Sequence, residues 1–357
     1  MVRLKDLRPT AGLAESKFSL LQSPYFMSNI RILGILVLLV IGFGILAPGF
    51  ISVVSLQSVL VSTALFLLLA LGETLVIISG GIDLSIGSML AMSGMVSGVF
   101  MSRYYTNGSG TEIALLGLII ALVVGLIGGM LNGIVIAKLR LNPLIVTLGT
   151  MGIFEGIAEL ISNGLPISNF PPFLFVLGNG GWGIPWLLWF TIAAVLFYGL
   201  LLARTRFGRY IYAYGASKDA VVRAGVNTTI HATWLYGLAG LAAGLAGYLS
   251  AAHFETASPI AGSQYLLIAV AAAVIGGTTL QGGEGTIWGT VIGALIISVL
   301  ENGFVMIGLA SFWQLVAVGV MVIVAVFFNE LQRRTRIASA GRTTDHKARG
   351  KPFGRVG

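Results

Sequence analysis

The chain has 357 residues, of which 56% are hydrophobic and only 10% charged, with a formal net charge of +8. Soluble domains carry about 25% charged residues, so a water-facing surface of ordinary polarity cannot be built here, and no segment reads as an autonomous soluble domain. Cys is absent and only three His occur, at 231, 253 and 346, which excludes disulfides, thiolate chemistry and a His-built metal site; no metal and no cofactor is expected.

In chain order, residues 1–29 form a polar, basic arm. It is too long for a signal-peptide n-region, and the apolar run after it has no A-x-A-like cleavage site. A helical span needs about 20 apolar residues to cross roughly 30 Å of hydrocarbon. Ten runs qualify: about 30–47, 57–79, 84–102, 112–137, 143–163, 185–203, 231–252, 263–281, 286–308 and 311–329. The third follows a Gly-Gly break and carries Gly87, Gly94 and Gly98, which lower its helix propensity. Residues 331–357 form a small, polar, basic tail that reads as disordered. The domain plan is therefore a cytoplasmic arm (1–29), a transmembrane domain (30–330) and a cytoplasmic tail (331–357).

Charge fixes the expected orientation. With ten spans, all of the 21 Lys and Arg except Arg103 fall in the arm, the tail or the loops after the fourth and sixth spans. Cytoplasmic loops carry such an excess, so the fold class is all-α, a polytopic transmembrane bundle of about ten spans with both N and C termini cytoplasmic. The basic balance is topology and does not point to nucleic acid.

Several features within this frame bear on function. Gly80-Gly81-Ile82-Asp83-Leu84-Ser85 reads as a helix stop, a glycine turn and a fresh start. Asp83 is placed to accept the amide hydrogen of Ser85 or Ile86, and a broken helix of this kind can also line a polar path. The stretch from Gly80 to Ser88 aligns without gaps on Gly282 to Thr290, a weak internal repeat. Glu73, Glu155 and Glu301 lie within apolar runs, where a carboxylate is costly and is a functional candidate by default. Asn142, Thr147, Asn302 and Gln314 add polar groups that serve either as glue between helices or as ligand contacts. Gly125, Gly129 and Gly133, and likewise Gly240 and Gly244, recur at four-residue spacing, the pattern that lets helix backbones approach closely. Residues 163–185, with Pro166, Pro171 and Pro172, form a long external loop with a short interfacial piece near Phe173 to Val176.

The segment from Arg204 to Ile230 is long for a connection in a compact bundle. Ser217, Lys218, Asp219, Ala220, Val221, Val222, Arg223, Ala224 and Gly225 read as one short capped helix. Ser217 is its cap, Asp219 sits at the positive end, Arg223 lies four residues on, and Gly225 is the stop. It could dock a partner or lie on the membrane interface. No G-x-x-x-x-G-K-[ST] loop occurs, so ATP-driven work would need another chain.

The stretch from Glu73 to Ser88 closely resembles the ribose-type permeases of bacterial ABC importers. So do Asn142 to Thr150, Thr205 to Arg209 leading into Tyr214 to Ser217, and Val274 to Thr286. The resemblance covers about residues 30–330. It implies a translocation subunit of the bacterial inner membrane, not itself an enzyme, that pairs with a second copy or a paralogue. It further implies two ATP-binding-cassette ATPase domains and a periplasmic solute-binding protein. It assigns Ser217 to Gly225 as the helix that couples to the ATPase, and makes Glu73, Asp83, Asn142, Thr147, Glu155 and Asn302 candidates for the pathway. The sugar-like solute stays open among ribose, other pentoses, galactose, inositol, polyols and autoinducer-2. Membrane lipid is the remaining partner. The competing readings are a secondary carrier using Glu73, Glu155 or Glu301 as proton sites, and a membrane-embedded enzyme, which lacks a nucleophile–base or metal constellation.

Overall fold

The computed structural model describes residues 24–327 apart from 109, 182, 311, 322 and 325, and these form helices joined by turns. The helices are α1 (Pro24–Leu46), α2 (Val53–Ile78), α3 (Ile86–Tyr104), α4 (Thr111–Leu139), α5 (Pro143–Ser162), α6 (Pro172–Asn179) and α7 (Trp186–Arg204). After α7 come α8 (Arg206–Ala216), α9 (Lys218–Arg223), α10 (Thr228–Phe254), α11 (Tyr265–Ile275), α12 (Ile287–Met306) and the apolar helix α13 (Phe312–Met321). Six of them, α2, α4, α5, α7, α10 and α12, are long and apolar enough to cross a membrane. The tail at 331–357 and most of the arm at 1–29 lie outside the described residues, and α1 begins at Pro24, inside the stretch assigned to the arm.

Local signals set the helix ends. Asn142 accepts from the Leu144 amide (3.0 Å) with Pro143 at the first helical position of α5, and Asn227 accepts from the amides of Thr229 and Ile230 (3.1 Å each) at the start of α10. Each cap satisfies amides that have no partner inside the helix. The run expected to cross at 263–281 is not one helix. α11 has 11 residues, about 16 Å of rise, and stops at Ile275. A side chain at Gly276 would collide with the backbone of Gly289 in α12, so the chain turns out of the helix where the two approach most closely.

α10 is the hub, packing on α4, α3 and α2. Its seam with α4 is made by both glycine series together. A β-carbon on Gly125 would strike the Gly240 carbonyl, one on Gly129 the Tyr236 carbonyl, and one on Gly133 the Ala232 carbonyl. Two backbones in contact gain dispersion along their whole length, which is the main attraction left between helices already in lipid. Tyr248 crosses the seam and donates to the Ala114 carbonyl at 2.7 Å. α5 is the opposite case: only Val146, Thr147, Phe154 and Ala158 of its 20 residues are buried. Outside the bundle, α6 forms the short piece expected in the 163–185 loop and rests on α10, with Asn179 Nδ2 donating to the His253 carbonyl at 3.0 Å.

Candidate translocation site

The break between α2 and α3 encloses a buried polar cluster. Glu73, Asp83, Ser85 and Asn132 are each fully shielded from solvent. The Asp83 amide donates to Glu73 Oε1 at 3.2 Å. Asp83 Oδ1 accepts from the Ser85 amide at 2.9 Å and from the Ser85 hydroxyl at 2.6 Å, and Ser85 Oγ in turn accepts from Asn132 Nδ2 at 2.8 Å. The bond expected from the Ser85 amide to Asp83 is present, but it holds a turn ahead of the helix, whose N-cap is Ser85, and it is one link in a chain joining α2, the break, α3 and α4. Thr147 of α5 donates to the Ile82 carbonyl at 3.2 Å, closing the break from the other side. Glu73 Oε2, Asp83 Oδ2, Asn132 Oδ1 and the Tyr236 hydroxyl find no partner among the described residues. Two carboxylates and two further oxygens without partners concentrate buried polar groups at this break, and ionisable residues within membrane-spanning helices are costly unless they pair or face a polar path.

A second feature is the open face of α5. Gly149, Gly152 and Gly156 have no atom within 4 Å of where a β-carbon would stand. Helical spacing places them beside Glu155 and Glu159, away from the buried residues. Glu155 is half-buried and lines a small crevice of about 30 Å³ with Ser88 and Ser263, directly beyond the start of α3.

The third feature joins the bundle to its long connection. Gly80 and Gly282 both adopt left-handed backbone, φ +83° and +84°, a conformation that favours glycine. The two turns touch: the Gly283 amide donates to the Ile78 carbonyl at 2.7 Å, and a β-carbon on Gly282 would lie 2.8 Å from the Gly80 nitrogen. The two members of the internal repeat are thus spatial neighbours. Gly215, at the end of α8, wedges against both; its own β-carbon would strike the Ile78 carbonyl and lie 2.6 Å from the Gly283 nitrogen. Tyr212 fastens α8 to the second turn by donating to the Gly285 carbonyl at 2.8 Å. On its other side α8 packs Phe207 and Tyr214 on His231 of α10, with ring centroids 4.7 and 5.9 Å apart. α9 follows at once: Ser217 accepts from the Ala220 amide at 3.3 Å, the Lys218 ammonium lies 5.5 Å over the Tyr214 ring, and the chain leaves the helix through Gly225 at φ +78°.

Among the candidates from sequence, Glu73, Asp83 and Thr147 come together at the break. Glu155 sits on the adjoining crevice, and Asn142 caps α5 from an exposed position. Asn302 is elsewhere, accepting from the Ser55 hydroxyl at 2.9 Å and tying the start of α2 to α12. Sequence reading passed over Asn132 and Tyr236, and gave no role to the Ser85 hydroxyl, to Gly215 or to the three glycines of α5. Asn132 carries the same signal as Glu73, a polar side chain inside an apolar run. Gly215 had no separate signal, because its neighbours come from distant turns.

Broken helices around buried carboxylates, a helix face unsuited to lipid and a capped helix at the junction define a polytopic membrane protein of the permease type. Residues 55–325 match the family described as "Branched-chain amino acid transport system / permease component", and the chain belongs to that family. It is 39% identical to the ribose import permease protein RbsC of Bacillus subtilis (strain 168) over 301 residues, 83% of this chain and 91% of that one. Its identity to the ribose import permease protein RbsC of Escherichia coli (strain K12) is 36% over 310 residues, 85% and 93% of the two chains. To the D-allose transport system permease protein AlsC of the same strain it is 35% over 299 residues, 83% and 90%. No solved structure matches the chain.

Proposed function

We propose that this chain is the translocation subunit of an ATP-driven importer for a monosaccharide or a related small polar solute. It would lie in the bacterial inner membrane with ten spans and both termini on the cytoplasmic side. This chain is 39% identical to a relative named for ribose, 35% to one named for D-allose and 34% to one named for L-arabinose, so overall similarity supports a sugar and does not select one. The family description names branched-chain amino acids; the sugar reading is preferred because the curated relatives cover most of both chains.

The observation that carries this reading is the open face of α5. Glu155 and Glu159 are costly to place against hydrocarbon, and the three glycines beside them leave a shallow wall between the exposed side chains of Ile145, Leu148 and Leu160. A water-filled path enclosed by a second copy of the chain, or by a paralogue, resolves both facts. The remaining candidates divide naturally: Thr147 and Glu155 border the path, Glu73 and Asp83 brace the helix break behind it, and Asn142 and Asn302 hold helices. Coupling would enter through α9. Val221 is its one buried side chain, and Ala220, Val222 and Ala224 are left exposed, an apolar surface suited to a groove on a cytoplasmic ATPase. The solute would arrive from a periplasmic binding protein, and the chain would perform no covalent chemistry.

The absence of Cys makes the test direct. Single cysteines at Gly149, Gly152 and Glu155 are labelled in membranes with a water-soluble thiol reagent, against a cysteine at Leu38 on α1, which is 71% exposed. Rapid labelling of the α5 positions, with a disulfide between copies at Gly152, is expected. Labelling no faster than at Leu38 would remove the pathway from α5.

A further inference from the structure

A large cavity among the described residues lies away from this site. It is a groove of about 980 Å³ between α1, α11, α12 and α13. That is the upper end of the range for ligand sites, about 300–1,000 Å³. Its walls are apolar, with Ile35, Leu39, Leu300, Phe304 and Val320 among them, and its one charged lining side chain is Arg31. Along α13 the lining runs from Trp313 to Met321, about 12 Å at 1.5 Å per residue, and it takes in Val324 beyond that range, which together approach half of a roughly 30 Å hydrocarbon core. α1 packs chiefly on α12, and the groove shares no lining residue with the crevice beside α5.

A second copy is a poor occupant. An isologous contact would bring the same patch to itself, and the lining offers Arg31 without any carboxylate to meet it. Arg31 has no ion pair among the described residues. A groove one leaflet long, apolar along its length and cationic at one end, matches a molecule with acyl chains and an anionic head. We propose that the groove between α1 and α13 binds one anionic phospholipid, with its phosphate on Arg31 and its acyl chains along Leu39 and Val320. Placing that lipid in the inner leaflet rests on the orientation proposed above; its binding does not.

The purified full chain in detergent is titrated with phosphatidylglycerol or phosphatidylcholine of identical acyl chains, and bound lipid is counted by native mass spectrometry. Phosphatidylglycerol is expected to be preferred about five-fold, the factor given by roughly 1 kcal/mol per basic residue near an anionic headgroup. Arg31→Gln abolishes the preference and Arg31→Lys keeps it. Ala317→Trp, on the groove wall, lowers retention of both lipids. The proposal is overturned if Arg31→Gln retains the preference, if Ala317→Trp leaves retention unchanged, or if a photo-crosslinker at Val320 captures a second copy and no lipid. Sugar uptake is not read in any arm, so failure here leaves the transport reading untouched.

Discussion

Replacing Gly215 with Ala adds one methyl group at the point where α8 meets both helix breaks. The new β-carbon would overlap the Ile78 carbonyl and lie 2.6 Å from the Gly283 nitrogen, both of them backbone atoms that cannot rotate away. α8 must therefore lift. Lifting stretches the Gly283–Ile78 bond (2.7 Å) and the Tyr212–Gly285 bond (2.8 Å). Each is worth about 1 kcal/mol net, and an amide left without a partner costs about 1–3 kcal/mol more, so the loss is about 3–5 kcal/mol in sum. Gly225→Ala is the control. That position has open space around it and only the strain of φ +78°, about 1–2 kcal/mol confined to α9. Hydrogen exchange on the purified chain should show the Gly283 amide losing protection in Gly215→Ala and keeping it in Gly225→Ala, with the larger fall in melting temperature in the first. In cells expressing the rest of the transporter, uptake falls in Gly215→Ala while the protein still inserts. Unchanged protection at Gly283 together with normal uptake would refute the junction as drawn.

Three further outcomes follow from the same contacts. Glu73→Gln keeps an acceptor for the Asp83 amide and should fold normally, whereas Glu73→Leu leaves that buried amide unpaired and should cost about 1–3 kcal/mol in a detergent melt. Asn302→Ala removes the Ser55 bond and should lower stability by about 1 kcal/mol without changing the solute concentration at half-maximal uptake; a changed concentration would return Asn302 to the pathway. Asp219→Ala and Arg223→Ala, both on exposed positions of α9, should insert and melt like the parent while losing uptake and solute-stimulated ATP hydrolysis, and normal uptake in both would remove α9 as the coupling element.

What the sequence makes legible follows from the range of each interaction. Caps act within four residues, so Asn142, Ser217 and the Asp83–Ser85 bond could be read from spacing alone. Glycine spacing along α4 and α10 announced close packing, but not that the two series face one another, because that pairing is set by the bundle. The helix α8 was read as loop: its apolar and aromatic residues, Phe207, Ile211, Tyr212 and Tyr214, are spread among Arg206, Arg209 and two glycines, and only the surface of α10 and the second glycine turn give them something to bury against. The run at 263–281 failed for the same reason in reverse. Hydropathy sees an unbroken apolar stretch, while the contact between Gly276 and Gly289 that ends α11 is tertiary.

That contact also bears on why Gly80 to Ser88 resembles Gly282 to Thr290. The two segments need not share ancestry to share glycines, since each places a left-handed residue at the same junction and each must admit the other's backbone. Non-helical backbone at membrane depth is stable only where protein covers it, and here each turn is the other's cover, with α8 as the lid over both. One consequence for the proposed coupling is that α9 cannot be displaced through Gly215 without loading both breaks together. The break before α3 carries the buried Glu73–Asp83–Ser85–Asn132 chain, which joins α2, α3 and α4, while the break before α12 is held by the Thr279 amide on the Glu284 carbonyl at 3.1 Å, the Gly282 amide on the Thr279 carbonyl at 3.0 Å and the Tyr212 hydroxyl on the Gly285 carbonyl at 2.8 Å, so each break has its own set of bonds to load.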